Sequence, residues 1–272
     1  MTRQRLANAL IAAGVLLIAL APLAVALMAS LTPDARLFDT QARQAAQPTT
    51  DHYRALFAER AFWIPIRNSL IVASATTMLA LGLGTPCAYA LARWRFRGRG
   101  AVLALILAMS MFPQISIVPS LFLLLRAIGL IDSYPGLVLP YLTFAMPLAV
   151  WFLVTVFKQL PVEIEEAAMM DGASRFTVFR RIALPLAGPG LATTGLLTFL
   201  YCWNEFLFAL TFTLGPERQT VPVAIALFRG QYQVPWGEVL AAALVATTPI
   251  ALLVLVAQRR LVSGLTSGAI KG

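Results

Sequence analysis

Residues 160–185 read Leu-Pro-Val-Glu-Ile-Glu-Glu-Ala-Ala-Met-Met-Asp-Gly-Ala-Ser-Arg-Phe-Thr-Val-Phe-Arg-Arg-Ile-Ala-Leu-Pro, the longest strongly polar stretch lying between two apolar runs that could each cross a bilayer. The stretch predicts two short helices. Pro161 suits a first helical position, Glu163, Glu165 and Glu166 fall where the helix dipole favours negative charge, and Gly172 suits a helix end. Ser174 can cap a second helix carrying Phe176, Phe179, Arg180 and Arg181, and Pro185 opens the next apolar run. Ile164, Ala167 and Ala168 share one face at helical spacing. A small apolar strip therefore lies beside acidic groups, a shape that fits a partner's groove.

Composition agrees that the surroundings of this stretch are lipid. The 272-residue chain is 59% hydrophobic and 12% charged, with a mean hydropathy of +0.79, far from the globular norm. A formal charge of +9 could suggest nucleic acid, but the basic residues lie between apolar runs and are not clustered with aromatics on a polar domain. Nucleic acid is therefore excluded as a partner, and membrane lipid is expected. Cys87 and Cys202 both fall inside apolar runs without metal-ligand spacing, which predicts packed thiols. His52 stands alone in a polar segment, and no metal site is expected.

About 20 apolar residues cross the ~30 Å hydrocarbon core. By that measure the chain is an all-α membrane protein, a single domain of six spans near 8–31, 68–92, 101–125, 135–157, 186–213 and 239–258, with a loop over 159–185 and a tail over 259–272. Arg3 and Arg5 before the first run resemble the start of a signal peptide, but its length favours a retained anchor. Alternate sides of the six spans carry thirteen and eight Lys and Arg residues, and the short turn Arg93-Trp94-Arg95-Phe96-Arg97-Gly98-Arg99 lies on the richer side. The positive-inside rule then places both termini and the 160–185 stretch in the cytoplasm.

Of the external segments, 34–67 carries a helix-like patch at Tyr53, Leu56 and Phe57 and ends in Phe62-Trp63, which suit an aromatic interface anchor. The segment before the last span is long and holds Phe228, Arg229, Tyr232 and Trp236, residue types that suit protein recognition or stacking on a sugar. Within the spans, Pro86, Pro113, Pro119, Pro140 and Pro147 free carbonyls that neighbouring protein or a water-lined cavity must satisfy. Trp203-Asn204-Glu205 puts an ionisable group inside the fifth run, at a cost of roughly 2.5–3.5 kcal/mol on insertion scales. Its carboxylate and amide could bind sugar hydroxyls, with Tyr201 or Trp203 as a stacking face, and Gln114 and Tyr141 could extend a polar path. The alternative for Glu205 is a carboxylate that snorkels or pairs with a neighbouring subunit.

Glu166-Ala167-Ala168, then Gly172, Ile182, Leu184 and Pro185, resemble the EAA loop of binding-protein-dependent ABC importers, whose permease subunits dock this loop into an ATPase subunit. Met111-Phe112-Pro113, Ala127 to Leu130, Pro135 to Leu137, Leu139 to Tyr141 and the final Gly264 to Gly272 are similar to the second permease subunit of maltose- and trehalose-type sugar importers. The resemblance covers nearly the whole chain and implies a six-helix type I importer permease in a bacterial cytoplasmic (inner) membrane. It implies a homologous permease, two ATPase subunits and an extracytoplasmic sugar-binding protein as partners. ATP and Mg would be bound by the ATPase, with no cofactor in this chain. Coupling would fall to Glu163, Glu166, Ala167, Ala168, Asp171, Gly172, Ile182, Leu184 and Pro185, joined by Gly268 and Lys271 of the tail; the segment from Gln219 to Trp236 would reach the binding protein. In some members the partner permease holds most of the sugar.

Enzymatic chemistry finds little footing. There is no Gly-rich phosphate loop with Lys-Ser or Lys-Thr, no His-based nucleophile system and no pair of intramembrane carboxylates. The expectation is a transporter subunit, not an enzyme, driven by a separate ATPase. The rival readings are an ABC permease for a polyol, glycerol phosphate, amino acid or phosphate, a self-contained secondary transporter, and an intramembrane enzyme acting on lipid-linked sugars.

Overall fold

The computed structural model describes residues 3–37, 47–228 and 234–269. The described residues are helical and contain no strand: α1 Arg3–Ser30, α2 Asp51–Ala58, α3 Trp63–Arg93, α4 Arg99–Met111, α5 Gln114–Ala127, α6 Tyr134–Gln159, α7 Val162–Met170, α8 Arg175–Leu186, α9 Gly188–Trp203, α10 Leu207–Phe212, α11 Val221–Ala226 and α12 Trp236–Ala269. Four of these, α1, α3, α6 and the first 21 residues of α12, are each long and apolar enough to cross a membrane. Counting the bent pairs α4 with α5 and α8 with α9 as one span each raises the number to six.

Two apolar runs depart from the simple spans expected of them. The run 101–125 is broken at Phe112-Pro113, and α4 and α5 meet at 89°. Pro113 has no N–H to continue the ladder and forces Phe112 into an extended conformation, with ψ at 134°. The run 186–213 divides into α9 and α10, and α8 enters α9 through a 72° bend. Pro86, Pro140 and Pro147, by contrast, are accommodated inside continuous helices. The last helix, α12, runs on through Ala269, beyond its membrane-length apolar part, Trp236–Val256.

The chain divides into two compact units. The larger comprises Pro65–Val223 with Ile250–Gly272 and is built on α6, which packs against α4, α9 and α10. Leu137, Tyr141, Ala145, Ala149, Leu153 and Phe157 are all buried at intervals of four, a ridge down one side of α6. Small residues let neighbouring helices close on it. A Cβ on Gly84 would stand 3.2 Å from the Val150 side chain, and one on Gly190 would collide with Val156. Ser133 starts α6 by accepting from Gly136 N–H at 3.1 Å, and a Cβ at Gly136 would run into the Leu130 carbonyl.

At the end of this unit where α6 begins, Asn68 is fully buried. Its amide donates to the carbonyls of Glu217 and Gln219 at 2.8 and 2.9 Å, and its Oδ1 accepts from Tyr134 Oη at 2.7 Å. The Arg218 guanidinium lies 4.6 Å from the Tyr134 ring centre. Asp132 adds a second tie, donating its N–H to Phe212 O and accepting from Leu214 N–H.

The smaller unit comprises Met1–Ile64 with Ala224–Pro249. Here α2 is tied to the end of α1: Ser30 Oγ meets Tyr53 Oη at 2.7 Å, and His52 Nε2 lies 3.0 Å from the Thr32 carbonyl. The segment read as polar with an apolar patch thus buries Leu56 and Phe62, while Phe57 and Trp63 stay exposed. His52 is a buried structural residue against which Gly237 packs with no room for a Cβ. Asp34 accepts from Gly237 N–H at 2.8 Å, and Arg60 pairs with Glu238 at the start of α12.

Candidate functional site

The polar stretch folds as an elbow whose shape follows from its sequence. Helix α7 ends in a left-handed residue, Gly172, with φ at +87°. Ala173 N–H reaches back to Ala168 O at 3.0 Å and Gly172 N–H to Met169 O at 3.1 Å, a Schellman closure that glycine makes without strain. Two residues later Ser174 Oγ accepts from Thr177 N–H and starts α8. A π-helical turn over Phe179–Ala183 then feeds the chain toward α9, burying Ala183 and Ala187 against Leu91, Leu153 and Phe157.

What holds the elbow is Glu165. Its carboxylate is buried; one oxygen accepts from Arg93 Nε at 2.8 Å and the other from Tyr89 Oη at 2.7 Å. Arg93 also donates to the Leu160 carbonyl at 3.0 Å, so one guanidinium ties both the entry to α7 and its first turn to the end of α3. Tyr89 is packed edge-on to Phe157 and tilted against Phe179. Sequence reasoning placed Glu163 and Glu166 in the coupling set and passed over Glu165.

The face turned away from Glu165 is open. Glu163, Glu166, Ala167, Asp171 and Gly172 are exposed, and among the apolar residues Ile164 and Met170 stand clear, the latter 89% exposed. Ala168 is half-buried. Ile182 and Leu184 are half-buried and Pro185 exposed at the joint between elbow and α9. These last three shape the connection and do not share the outward face of α7. Gly268 falls in the last turn of α12, and Lys271 lies outside the described residues.

The expected polar path is only partly assembled. Gln114 donates to Tyr201 Oη at 2.5 Å, and Tyr201 and Asn204 are exposed. Tyr141, Trp203 and Glu205, expected on the same path, are buried. Trp203 stacks on Phe199 at 5.8 Å, and Tyr141 packs against Phe208. Glu205 accepts from the N–H groups of Phe208 and Ala209 at 2.8 and 3.1 Å. The break at Asn204 leaves the first N–H groups of α10 without helical partners, and the carboxylate supplies the acceptors. Glu205 thus turns a helix break into a stable joint.

Of the residues expected to meet a binding protein, Phe228 is buried, packed edge-on against Phe62 and covered by the Arg60 guanidinium at 4.5 Å. Arg60 can hold it there because Glu238 fixes the other side of the guanidinium. Trp236 is 47% exposed at the start of α12, and Arg229 and Tyr232 lie outside the described residues.

Residues 80–267 match the family described as binding-protein-dependent transport system inner membrane component. The chain is 44% identical over 226 residues to the trehalose transport system permease protein SugB of Mycobacterium tuberculosis, covering 82% of each chain. It is 40% identical over 227 residues to the trehalose/maltose transport system permease protein MalG of Thermococcus litoralis, again covering 82% of each. Among solved structures, it superposes on a chain of a bacterial ABC transporter involved in the import of the acidic polysaccharide alginate with a TM-score of 0.75, at 23% identity, covering 95% of this chain and 98% of the other.

Proposed function

Since the chain belongs to the family of binding-protein-dependent transport system inner membrane components, we propose that it translocates a trehalose- or maltose-like sugar delivered by an extracytoplasmic binding protein. It is a membrane-embedded permease subunit of an ABC importer. In this reading it works beside a homologous permease and two ATPase subunits, which bind ATP and Mg. Its elbow and both termini face the cytoplasm, as the excess of Lys and Arg on that side favours.

The observation that carries the reading is the elbow itself: an outward face with Ile164, Met170, Glu163 and Glu166 exposed, set on a base fixed by Glu165 and Arg93. A helix transmits displacement only if it is held firmly at both ends of the contact. Here the ATPase dimer closes on ATP and moves α7; the Arg93 tie carries the movement into α3, and Ala183 and Ala187 carry it into the packing around α6. The bundle then opens toward the loaded binding protein. Asn68, which fixes the carbonyls of Glu217 and Gln219, holds the loop before α11 in shape.

The test is reconstitution of the chain in liposomes with its homologous permease, ATPase and sugar-binding protein. Labelled trehalose or maltose should accumulate only with ATP, and an Ile164→Glu/Met170→Glu variant should lose ATPase from the purified complex. Uptake without any ATPase, or full ATPase retention in that variant, would overturn the reading.

A further inference from the structure

Beside the elbow, two concavities of different character meet along one wall. The first, of about 450 Å³, is apolar and is lined by Pro86, Ala90, Phe176 and Phe179 together with Tyr89, Trp94 and Arg175. The second, of about 400 Å³, shares Tyr89, Trp94 and Arg175 and continues to Arg93, Arg95 and Glu165. Glu165 and Arg93 satisfy one another there, and the Tyr89 hydroxyl donates a hydrogen bond to Glu165. Among the described residues Arg95 and Arg175 make no ion pair, and the one remaining acid on the wall is Glu166. Arg97 adds a further exposed cation in the same turn.

We propose that these joined concavities bind an anionic phospholipid, with an acyl chain along Pro86, Ala90, Phe176 and Phe179 and the phosphate between Arg95 and Arg175. An apolar groove that opens into a cleft with uncompensated positive charge is complementary to an amphiphile with an anionic head, and to neither a neutral lipid nor a free polar ion. Trp94 is 46% exposed on the shared wall, and an indole is favoured between hydrocarbon and headgroups. Guanidinium groups pair with phosphate in bidentate fashion and, beside an anionic leaflet, gain from its negative potential. The inference rests on the transport reading in one respect, that the elbow lies at the membrane surface. The lipid would lie against both the elbow and α3, the two elements that the Glu165–Arg93 pair joins, and so would stiffen the same joint.

The assembled importer, purified from nanodiscs of equal parts phosphatidylcholine and phosphatidylglycerol, is released from the disc and its retained lipids are counted by native mass spectrometry. Wild type should retain phosphatidylglycerol over phosphatidylcholine, and Arg95→Ala/Arg175→Ala should lower that preference about thirtyfold, at the strength expected for two surface guanidiniums. Arg95→Lys/Arg175→Lys should keep most of it, Phe176→Glu should lose it through the groove, and Arg126→Ala, on a different turn, should leave it unchanged. Equal phosphatidylglycerol retention in wild type and Arg95→Ala/Arg175→Ala overturns the proposal. So does retention in the isolated chain that vanishes once the ATPase is bound, which would identify a protein as the occupant. ATP-driven trehalose uptake in liposomes and ATPase retention in the purified complex report on transport separately: failure of either in wild type with lipid retention intact would sink the transport reading alone.

Discussion

Glu165 and Arg93, 72 positions apart in the chain, form a buried ion pair with Nη2 and Oε1 at 2.8 Å that fastens the polar elbow to the last turn of α3. Buried pairs of this kind are not large net stabilisers, but removing one partner strands the other. Arg93→Ala should therefore destabilise the fold by about 3–5 kcal/mol, read as a lower detergent denaturation midpoint. Glu165→Gln, which keeps the size and one of the two acceptor oxygens, should cost less. If Arg93→Ala leaves both the midpoint and sugar uptake unchanged, the pair does not hold the elbow.

Gly172 closes α7 at φ +87°, and a Cβ there would meet nothing within 4 Å. The penalty for substitution is thus one of backbone alone, about 1–2 kcal/mol for a β-branched residue and smaller for asparagine. Gly172→Val should lower ATP-driven uptake while membrane insertion is unaffected, and Gly172→Asn should retain most activity. Equal uptake in both variants would show that the left-handed closure is dispensable.

Gly190 lies so close to Val156 that a β-carbon would collide with its methyl groups. Gly190→Ala should cost roughly 1–3 kcal/mol through displaced packing between α9 and α6, and Val156→Ala should relieve it. A double-mutant cycle on thermal stability measures the coupling; additive effects would contradict the close approach.

Glu205 offers a way to separate a structural role from contact with cargo. Leucine in its place leaves the N–H groups of Phe208 and Ala209 unpaired, about 1–3 kcal/mol for each lost acceptor, while glutamine still accepts one of them. Stability should follow the order Glu, Gln, Leu, with uptake following stability. Full stability of Glu205→Gln together with a tenfold rise in the KM for sugar would point to direct contact instead.

These positions also mark the reach of the sequence. Helix ends written in local chemistry were readable: Ser174 and Gly172 each determine their own turn through contacts within a few residues. The six apolar runs were readable because hydrocarbon thickness sets a length. What was not readable depended on residues far apart. Glu165 is one of three acids in a row of four until Arg93 and Tyr89 select it, and Glu205 looked like a ligand because nothing local shows that the helix breaks beside it. Phe228 carries an aromatic side chain on a stretch read as an external loop, yet Phe62 and Arg60, reached only through the fold, bury it. The prolines show the same divide: Pro113 breaks its helix while Pro140 and Pro147 do not, and their neighbours decide which.

The right-angled corner at Phe112-Pro113 bears on how the chain is made. Taken singly, α4 and α5 are 13 and 14 residues, about 20 Å each at 1.5 Å per residue, too short to bridge ~30 Å of hydrocarbon. During synthesis the apolar run must first be accepted by the insertion machinery as one straight segment, because a bare corner would show its unpaired carbonyls to lipid. The corner can form only after α6 has emerged, giving α4 a protein neighbour to lean on. If the pair is one span, insertion comes first and bending afterwards, and a chain truncated before residue 134 should keep this run straight.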